Sequence, residues 1–304
     1  MSQSKRYLLV GGGGFIGRQV AAHLIGQGEV HAIARSGKTR HLPGIAWHEG
    51  DFHDVKLTAQ LISDLSPTHF VHLGWTTTHG DFWTSPENTA WLNSSLAAAR
   101  AFGKAGGKRI VMTGTCAEYD TAALSPLHET RSPIRPAQLY GEMKDAARRE
   151  IQALSVEYGF SFAWARVFHV YGPFENVNRL VPGIILSLLA GNPARCTSGI
   201  QRRDFMDVRD MGAALAKLAD HHVTGPVNLG TGRVTSVAEL AQAIGALMGR
   251  PDLIHLGAVP DRPQEVGELY PDIGRMRDEL GVTAAISLHQ GMGEAIAWWN
   301  SRAL

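Results

Sequence analysis

The chain has 304 residues, 44% hydrophobic and 19% charged, with a formal net charge of +1. That length can bury a large core as one domain or two lobes, and so balanced a charge points to neither nucleic acid nor an anionic membrane surface as a partner. Cys116 and Cys196 make no disulfide framework and no metal set, and none of the 14 histidines stands in a His-x-x-x-His spacing. His69 and His72, three apart in a strand-like run, face opposite sides. The N-terminus enters a strand with no signal-peptide core, and no apolar run reaches bilayer length, so a reducing cytoplasm is the expected compartment.

Tyr7 to Val10 reads as a short apolar strand. Gly11-Gly12-Gly13-Gly14-Phe15-Ile16-Gly17 follows it, and Ile16, Val20 and Leu24 then recur at helical spacing. Strand, glycine turn and helix together make a dinucleotide site. Glycine reaches positive φ cheaply, leaves no Cβ in the way of a phosphate, and opens a helix whose first N–H groups are free. The run fits two registers, Gly12-x-Gly14-x-x-Gly17 and Gly11-x-x-Gly14-x-x-Gly17.

Strands and helices alternate onward, which predicts a doubly wound, Rossmann-type parallel sheet covered on both faces. Glu29 to Ala34 reads as a strand ending at Arg35-Ser36, and Ile45 to Glu49 as another, followed by Gly50-Asp51. A helix is expected over Val55 to Leu65, a buried strand over Thr68 to Leu73, and a long helix from Ser85 to Ala105. The strand Arg109 to Met112 ends in Thr113-Gly114-Thr115-Cys116, and after a proline-rich loop come a helix over Tyr140 to Tyr158 and the strand Ser161 to Arg166. Past Tyr171-Gly172-Pro173 shorter helical pieces follow (Leu180 to Ala190, Met211 to Ala219, Val237 to Met248). Pro226 to Leu229 is expected to rejoin the sheet. Residues 1–170, completed by 205–230, are thus expected to form the dinucleotide domain, and 171–304 mainly a smaller, interleaved α/β substrate lobe.

Tyr140 and Lys144 share one helix face. A phenol titrates near about 10; an ammonium one turn away, or a positively charged nicotinamide, favours the phenolate. The pair follows Thr115 at a strand's C-terminal end, where parallel sheets place reacting groups. A Thr115 hydroxyl can hold a substrate oxygen while Tyr140 exchanges its proton.

With these residues the chain resembles the extended short-chain dehydrogenases, the nucleotide-sugar epimerase/dehydratase family. The resemblance runs from about Leu8 to Leu280 and also rests on His72-Leu73-Gly74, Tyr119, Arg166, Arg203-Asp204-Phe205, Val208, Asp210, Asn228-Leu229-Gly230 and Arg262-Pro263. It selects the Gly11, Gly14, Gly17 register. It implies Thr115, Tyr140 and Lys144 as the catalytic set, Lys144 also anchoring the ribose. It further implies a dinucleotide held by Gly11, Gly14, Phe15, Ile16, Gly17, Asp51, Phe52, Leu73, Gly74, Tyr140 and Lys144, and a nucleoside-diphosphate sugar met by Trp75, Thr76, Cys116, His169, Arg179, Arg203 and Arg262. It implies a homodimer paired through the long helices from Ser85 and Tyr140.

Arg35, with Ser36 and Lys38 or Arg40, suits the 2′-phosphate of NADP better than the ribose hydroxyls of NAD. The Asp-Glu pair that the family's dehydratases carry after the catalytic Thr is Cys116-Ala117 here, which argues against dehydration. The family's usual Asn before Val-Tyr-Gly-Pro is His169. The chain looks most like the 4-ketoreductases of deoxysugar biosynthesis, which reduce a nucleoside-diphosphate 4-keto-6-deoxyhexose with NADPH. An NAD-dependent epimerase of the same family and a non-enzymatic NADP-binding regulator are the alternatives. The side to which Glu118 points is left open, as is whether Cys116 is packed or exchanges protons.

Overall fold

The computed structural model describes residues 4–35, 42–263 and 265–302; Ser36, Lys38 and Arg40 lie outside them. Six strands come from the residues up to Val167: β1 (Arg6–Val10), β2 (Glu29–Ala34), β3 (Ile45–Glu49), β4 (His69–His72), β5 (Arg109–Thr115) and β6 (Ser161–Val167). Apart from the edge strand β3, whose apolar residues are half-buried or exposed, they bury apolar side chains on both faces, which suits a sheet covered by helices above and below. A seventh strand, Gly225–Leu229, pairs with β6 and completes a parallel sheet ordered Gly225–Leu229, β6, β5, β4, β1, β2, β3. The chain winds outward in both directions from the β1–β4 pair, so the loops leaving those two strands diverge and open a crevice at their C-terminal ends.

The helices α1 (Gly17–Leu24) and α6 (Val208–Ala219) cover one face, and α2 (Val55–Leu65), α3 (Glu87–Lys104) and α4 (Leu139–Tyr158) cover the other. Each fully buried aliphatic side chain in these layers contributes roughly 1.5–3 kcal/mol. A third apolar cluster joins α5 (Leu180–Leu189), α7 (Val237–Leu247) and α8 (Leu288–Asn300). No helix among the described residues is long and apolar enough to cross a membrane.

Several boundaries differ from expectation for identifiable reasons. β5 runs on to Thr115 because its last residues pair with β6, Gly114 opposite Arg166 and Thr115 opposite Val167. α6 starts at Val208 rather than Met211, since the Asp207 carboxylate accepts the Arg209 N–H and caps it. The long third helix starts at Glu87, with the Ser85 hydroxyl accepting the Glu87 N–H just ahead of it. α8 escaped sequence reading: its buried stripe is Gly291, Met292, Ala295 and Trp299, in which small residues dilute the apolar period.

Candidate active site

The glycine turn is fixed by backbone meeting backbone. Gly11 has φ +80°, and a Cβ there would lie 2.8 Å from the Gly74 nitrogen and 2.9 Å from the Leu73 carbonyl carbon, across the β1–β4 crevice. A Cβ on Gly17 would lie 1.9 Å from the Gly11 carbonyl oxygen, which also accepts the Gly14 N–H at 3.0 Å. Gly12 has no such demand: its nearest neighbours, Leu9 and Ala32, are side-chain atoms at 3.3 Å and beyond. The geometry therefore follows the Gly11, Gly14, Gly17 register. Phe15 and Ile16 lie half-buried at the start of α1. Arg35, at the end of β2, and Asp51, after β3, are both exposed. Phe52 is a core side chain, 6% exposed, edge-on to His72 and stacked on Trp91, so only its backbone is offered to a ligand.

The reacting set sits beside that turn. Thr115 ends β5 and caps the 3₁₀ turn Cys116–Glu118: its Oγ1 accepts the Ala117 N–H at 3.2 Å, and its own N–H donates to Glu118 Oε1 at 2.8 Å. Its hydroxyl also acts on the Tyr140 phenol and the Cys116 thiol, favouring the ionised form of each. α4 can bring Tyr140 this close because Gly141 carries no side chain; a Cβ there would lie 2.4 Å from the Ala117 carbonyl oxygen. The Tyr140 ring is gripped edge-on by Phe82 and Trp83, and its N–H donates to the Trp83 carbonyl at 3.0 Å. One turn on, the Lys144 Nζ donates to the Thr113 carbonyl at 2.8 Å and lies 4.1 Å from the centre of the Trp75 ring.

Burial dominates the electrostatics. It pushes the Tyr140 phenol well above its ordinary value against the pull of the Thr115 hydroxyl, so the phenol is held protonated. It brings Lys144 down to about 7, with Glu118 opposing. It raises the Cys116 thiol to about 11, which makes Cys116 a packed thiol rather than a thiolate at neutral pH.

Glu118 turns inward. It is fully buried and takes an ion pair from Arg166 at 2.7 Å and the Trp164 indole N–H at 2.9 Å. It braces Thr115 from behind. Arg166, Asn228 and Asp204 are likewise scaffold: Asn228 ties Tyr119 to the Leu127 carbonyl, and Asp204 accepts the N–H groups of Thr231 and Gly232.

The far wall gathers cations. His169 lies on β7 (His169–Tyr171) and is brought down to about 3, first by burial and then by Arg203 and Arg179, so it is a neutral imidazole. Its Nδ1 is buried without a partner. Arg179 precedes α5 with its guanidinium 5.3 Å from the Phe82 ring centre, and its charge acts on Tyr140 as well. Arg203 is 7% exposed and pairs with Glu265 at 3.3 Å. Arg262 is exposed on the same loop as Glu265, and the contacts among the described residues do not draw it into the cluster. Thr76 is buried at 6%. Trp75 was expected to meet substrate; instead its indole N–H is committed to Asn88 and its ring to Lys144. Sequence reading missed Phe82 and Trp83, whose only signal was two aromatics just ahead of the third helix. It also missed Glu175, a carboxyl raised to about 8 by burial, with Oε2 unpartnered and Arg179 nearby.

Residues 7–230 match the NAD dependent epimerase/dehydratase family. UDP-glucuronic acid decarboxylase 1 of Danio rerio is 26% identical, over 97% of this chain and 73% of its own. The fold superposes on the UDP-glucose 4-epimerase of Thermotoga maritima with a TM-score of 0.88 at 22% identity, covering 98% of this chain and 100% of that one. It superposes on WbmG of Bordetella bronchiseptica, solved in complex with NAD, with a TM-score of 0.84 at 25% identity, covering 99% and 95%. A glycine turn shaped for a dinucleotide, a Tyr–Lys pair beside it and a match over most of the chain agree: this protein belongs to the NAD dependent epimerase/dehydratase family.

Proposed function

We propose that the protein reduces the C4 keto group of a nucleoside-diphosphate 4-keto-6-deoxy sugar with NADPH. The observation that carries the reading is the convergence of Thr115, Tyr140 and Lys144 at the end of β5, with a packed thiol and an alanine at 116 and 117. Removing water from a sugar needs a further acid and base on neighbouring carbons, and neither residue can act as a base at neutral pH. Proton exchange at one oxygen needs only what is present. When bound, the dinucleotide supplies the hydride. Thr115 holds the carbonyl oxygen, and the protonated Tyr140 phenol gives its proton to the forming alkoxide. Lys144 stabilises the phenolate that results and anchors the cofactor ribose. Arg179 and Arg203 take the diphosphate, for which forked guanidinium groups are suited. The neutral His169 offers a hydrogen bond to the sugar. Arg35, exposed at the end of β2, favours the 2′-phosphate of NADP.

The family's NAD dependence and the NAD complex of WbmG favour a second reading, an epimerase that returns the hydride to the other face. Purified protein mixed with a panel of 4-keto sugar nucleotides and NADPH or NADH separates the two. Loss of NADPH absorbance supports the reductase; tightly retained NAD with no net turnover sinks it. Under either reading Tyr140→Phe lowers turnover by about 10²–10⁴-fold and leaves dinucleotide affinity largely intact. Equal loss of both contradicts the role given to Tyr140. We place a homodimer contact on the outer faces of α3 and α4, where Val156 is 80% exposed; sedimentation at dilute concentration reads it.

A further inference from the structure

Lys144 is an ammonium in a socket that burial disfavours. It is 2% exposed, and it uses one N–H on the Thr113 carbonyl. The charged and titratable groups around it supply little counter-charge. From the 3₁₀ turn, Glu118 favours the charge, but that carboxylate is already bound by Arg166, by Trp164 and by the Thr115 N–H. From β4, His72 is neutral, held so by burial and by Lys144 itself. On α4, Tyr140 is protonated, and Asp145 is paired with Arg148 and Arg149. Among the described residues, the face of Trp75 also lies against it, 4.1 Å from its Nζ.

Trp75 is fixed in that position. Its Nε1–H donates to Asn88 Oδ1 at 2.8 Å, and Asn88 is wholly buried and donates to the carbonyls of Phe82 at 2.7 Å and Ser85 at 2.8 Å. Trp91 stacks behind the ring at 6.0 Å. An aromatic face attracts a cation through its quadrupole, indole most strongly, and more so where both are out of water. A side chain so anchored offers its face permanently, without competing for the proton that Tyr140 exchanges.

We propose that Trp75 is a positioning residue that holds Lys144 in its charged form, its indole face acting as the ammonium's counter-group. The proposal rests on the reading of Lys144 as the tuner of Tyr140. The sign follows directly. The π-face stabilises the protonated amine, so removing the face lets Lys144 lose its proton at lower pH. Turnover that needs the ammonium then fails earlier on the alkaline side.

The test is a pH titration by NMR of protein carrying ¹³Cε-labelled lysine, with Lys144→Arg identifying the Lys144 signal. Wild type, Trp75→Phe and Trp75→Leu are compared, and the alkaline limb of turnover is measured on the same proteins. In Trp75→Leu the Lys144 midpoint falls by about one pH unit; in Trp75→Phe, which keeps a weaker face, it falls by less, and the alkaline limb moves with it. An unchanged midpoint in both variants overturns the proposal. If the leucine variant does not fold, an unchanged midpoint in the phenylalanine variant overturns it as well. A midpoint that falls while the alkaline limb stays put upholds Trp75 as the counter-group and refutes the role given to Lys144 in turnover.

Discussion

The glycine turn after β1 is shaped mainly by backbone meeting backbone, with one side-chain tie from Arg18 to the Gly13 carbonyl, whereas the cluster around His169 is assembled from side chains that separate elements deliver. In the turn, Gly11, Gly14 and Gly17 are constrained by one another and by Gly74 across the crevice. In the cluster, β7 supplies His169, the start of α5 supplies Arg179, and a two-residue strand supplies Arg203, which leans on Glu265 from a loop 62 residues later. A backbone site accepts nearly one answer at each position. A side-chain site can change its contacts one residue at a time and keep its fold. That difference matches the roles proposed above, a dinucleotide on the first and a sugar nucleotide on the second.

The two walls meet at β5, and the largest effect is expected there. Glu118→Gln leaves Arg166 charged, buried and without its carboxylate. Breaking a buried pair by removing one partner costs about 3–5 kcal/mol. Urea unfolding reads the loss, and a change under about 1 kcal/mol would mean that the pair does not brace Thr115. On the glycine wall, Gly17→Ala pushes a methyl into the Gly11 carbonyl oxygen. Overpacking of this kind costs about 1–3 kcal/mol and shifts the turn, so dinucleotide binding by fluorescence titration should be lost. Gly14→Ala, whose Cβ would lie 3.2 Å from the same oxygen, should be the milder of the two. If they bind alike, the backbone account of this wall is wrong. On the cation wall, Arg203→Ala removes a charged hydrogen-bonding group worth about 1.5–3 kcal/mol. The expected result is a substrate KM raised roughly 10- to 100-fold with kcat nearly unchanged; a fall in kcat alone would move Arg203 from binding to chemistry.

The same difference explains what was legible before the fold was known. Gly11 to Gly17, the strand ends and the Tyr140–Lys144 spacing are local signals, and each reports a steric or helical constraint within a few residues. Thr115 was legible because a strand's end marks it. Glu118 was not, because nothing near it says that Trp164 and Arg166, 46 and 48 residues away, will fill the space behind it. For Trp75 the resemblance implied a substrate contact; only Asn88 and Lys144, from two other helices, show where its indole N–H and ring are engaged. Past residue 171 the described strands other than Gly225–Leu229 are two or three residues long and pair across large separations, Arg203 with Thr235 and Leu269, so their runs are too short to show a period.

The smallest expected effect concerns Glu175, a half-buried carboxyl that feels the charge of Arg179. Burial raises it to about 8, above the ordinary carboxylate value, so between about pH 4.5 and 8 the folded protein binds a proton that the unfolded chain has lost. Stability from this group is fully present below that window and is lost as pH rises through it. His169 works the other way, gaining stability from about pH 3 upward and finishing near its ordinary value; Lys144, brought down to about 7, also gains with rising pH from there. The three slopes overlap, so the wild-type curve alone does not isolate any of them. Glu175→Gln keeps the shape and cannot ionise, and its difference from wild type carries the Glu175 contribution alone. The two proteins should be equally stable near pH 4.5 and diverge upward, the variant leading by about 1–2 kcal/mol at pH 8.5 once solvent screening at a half-buried site is allowed. Parallel curves across the window would mean that burial does not raise the Glu175 carboxyl, which overturns this account of it.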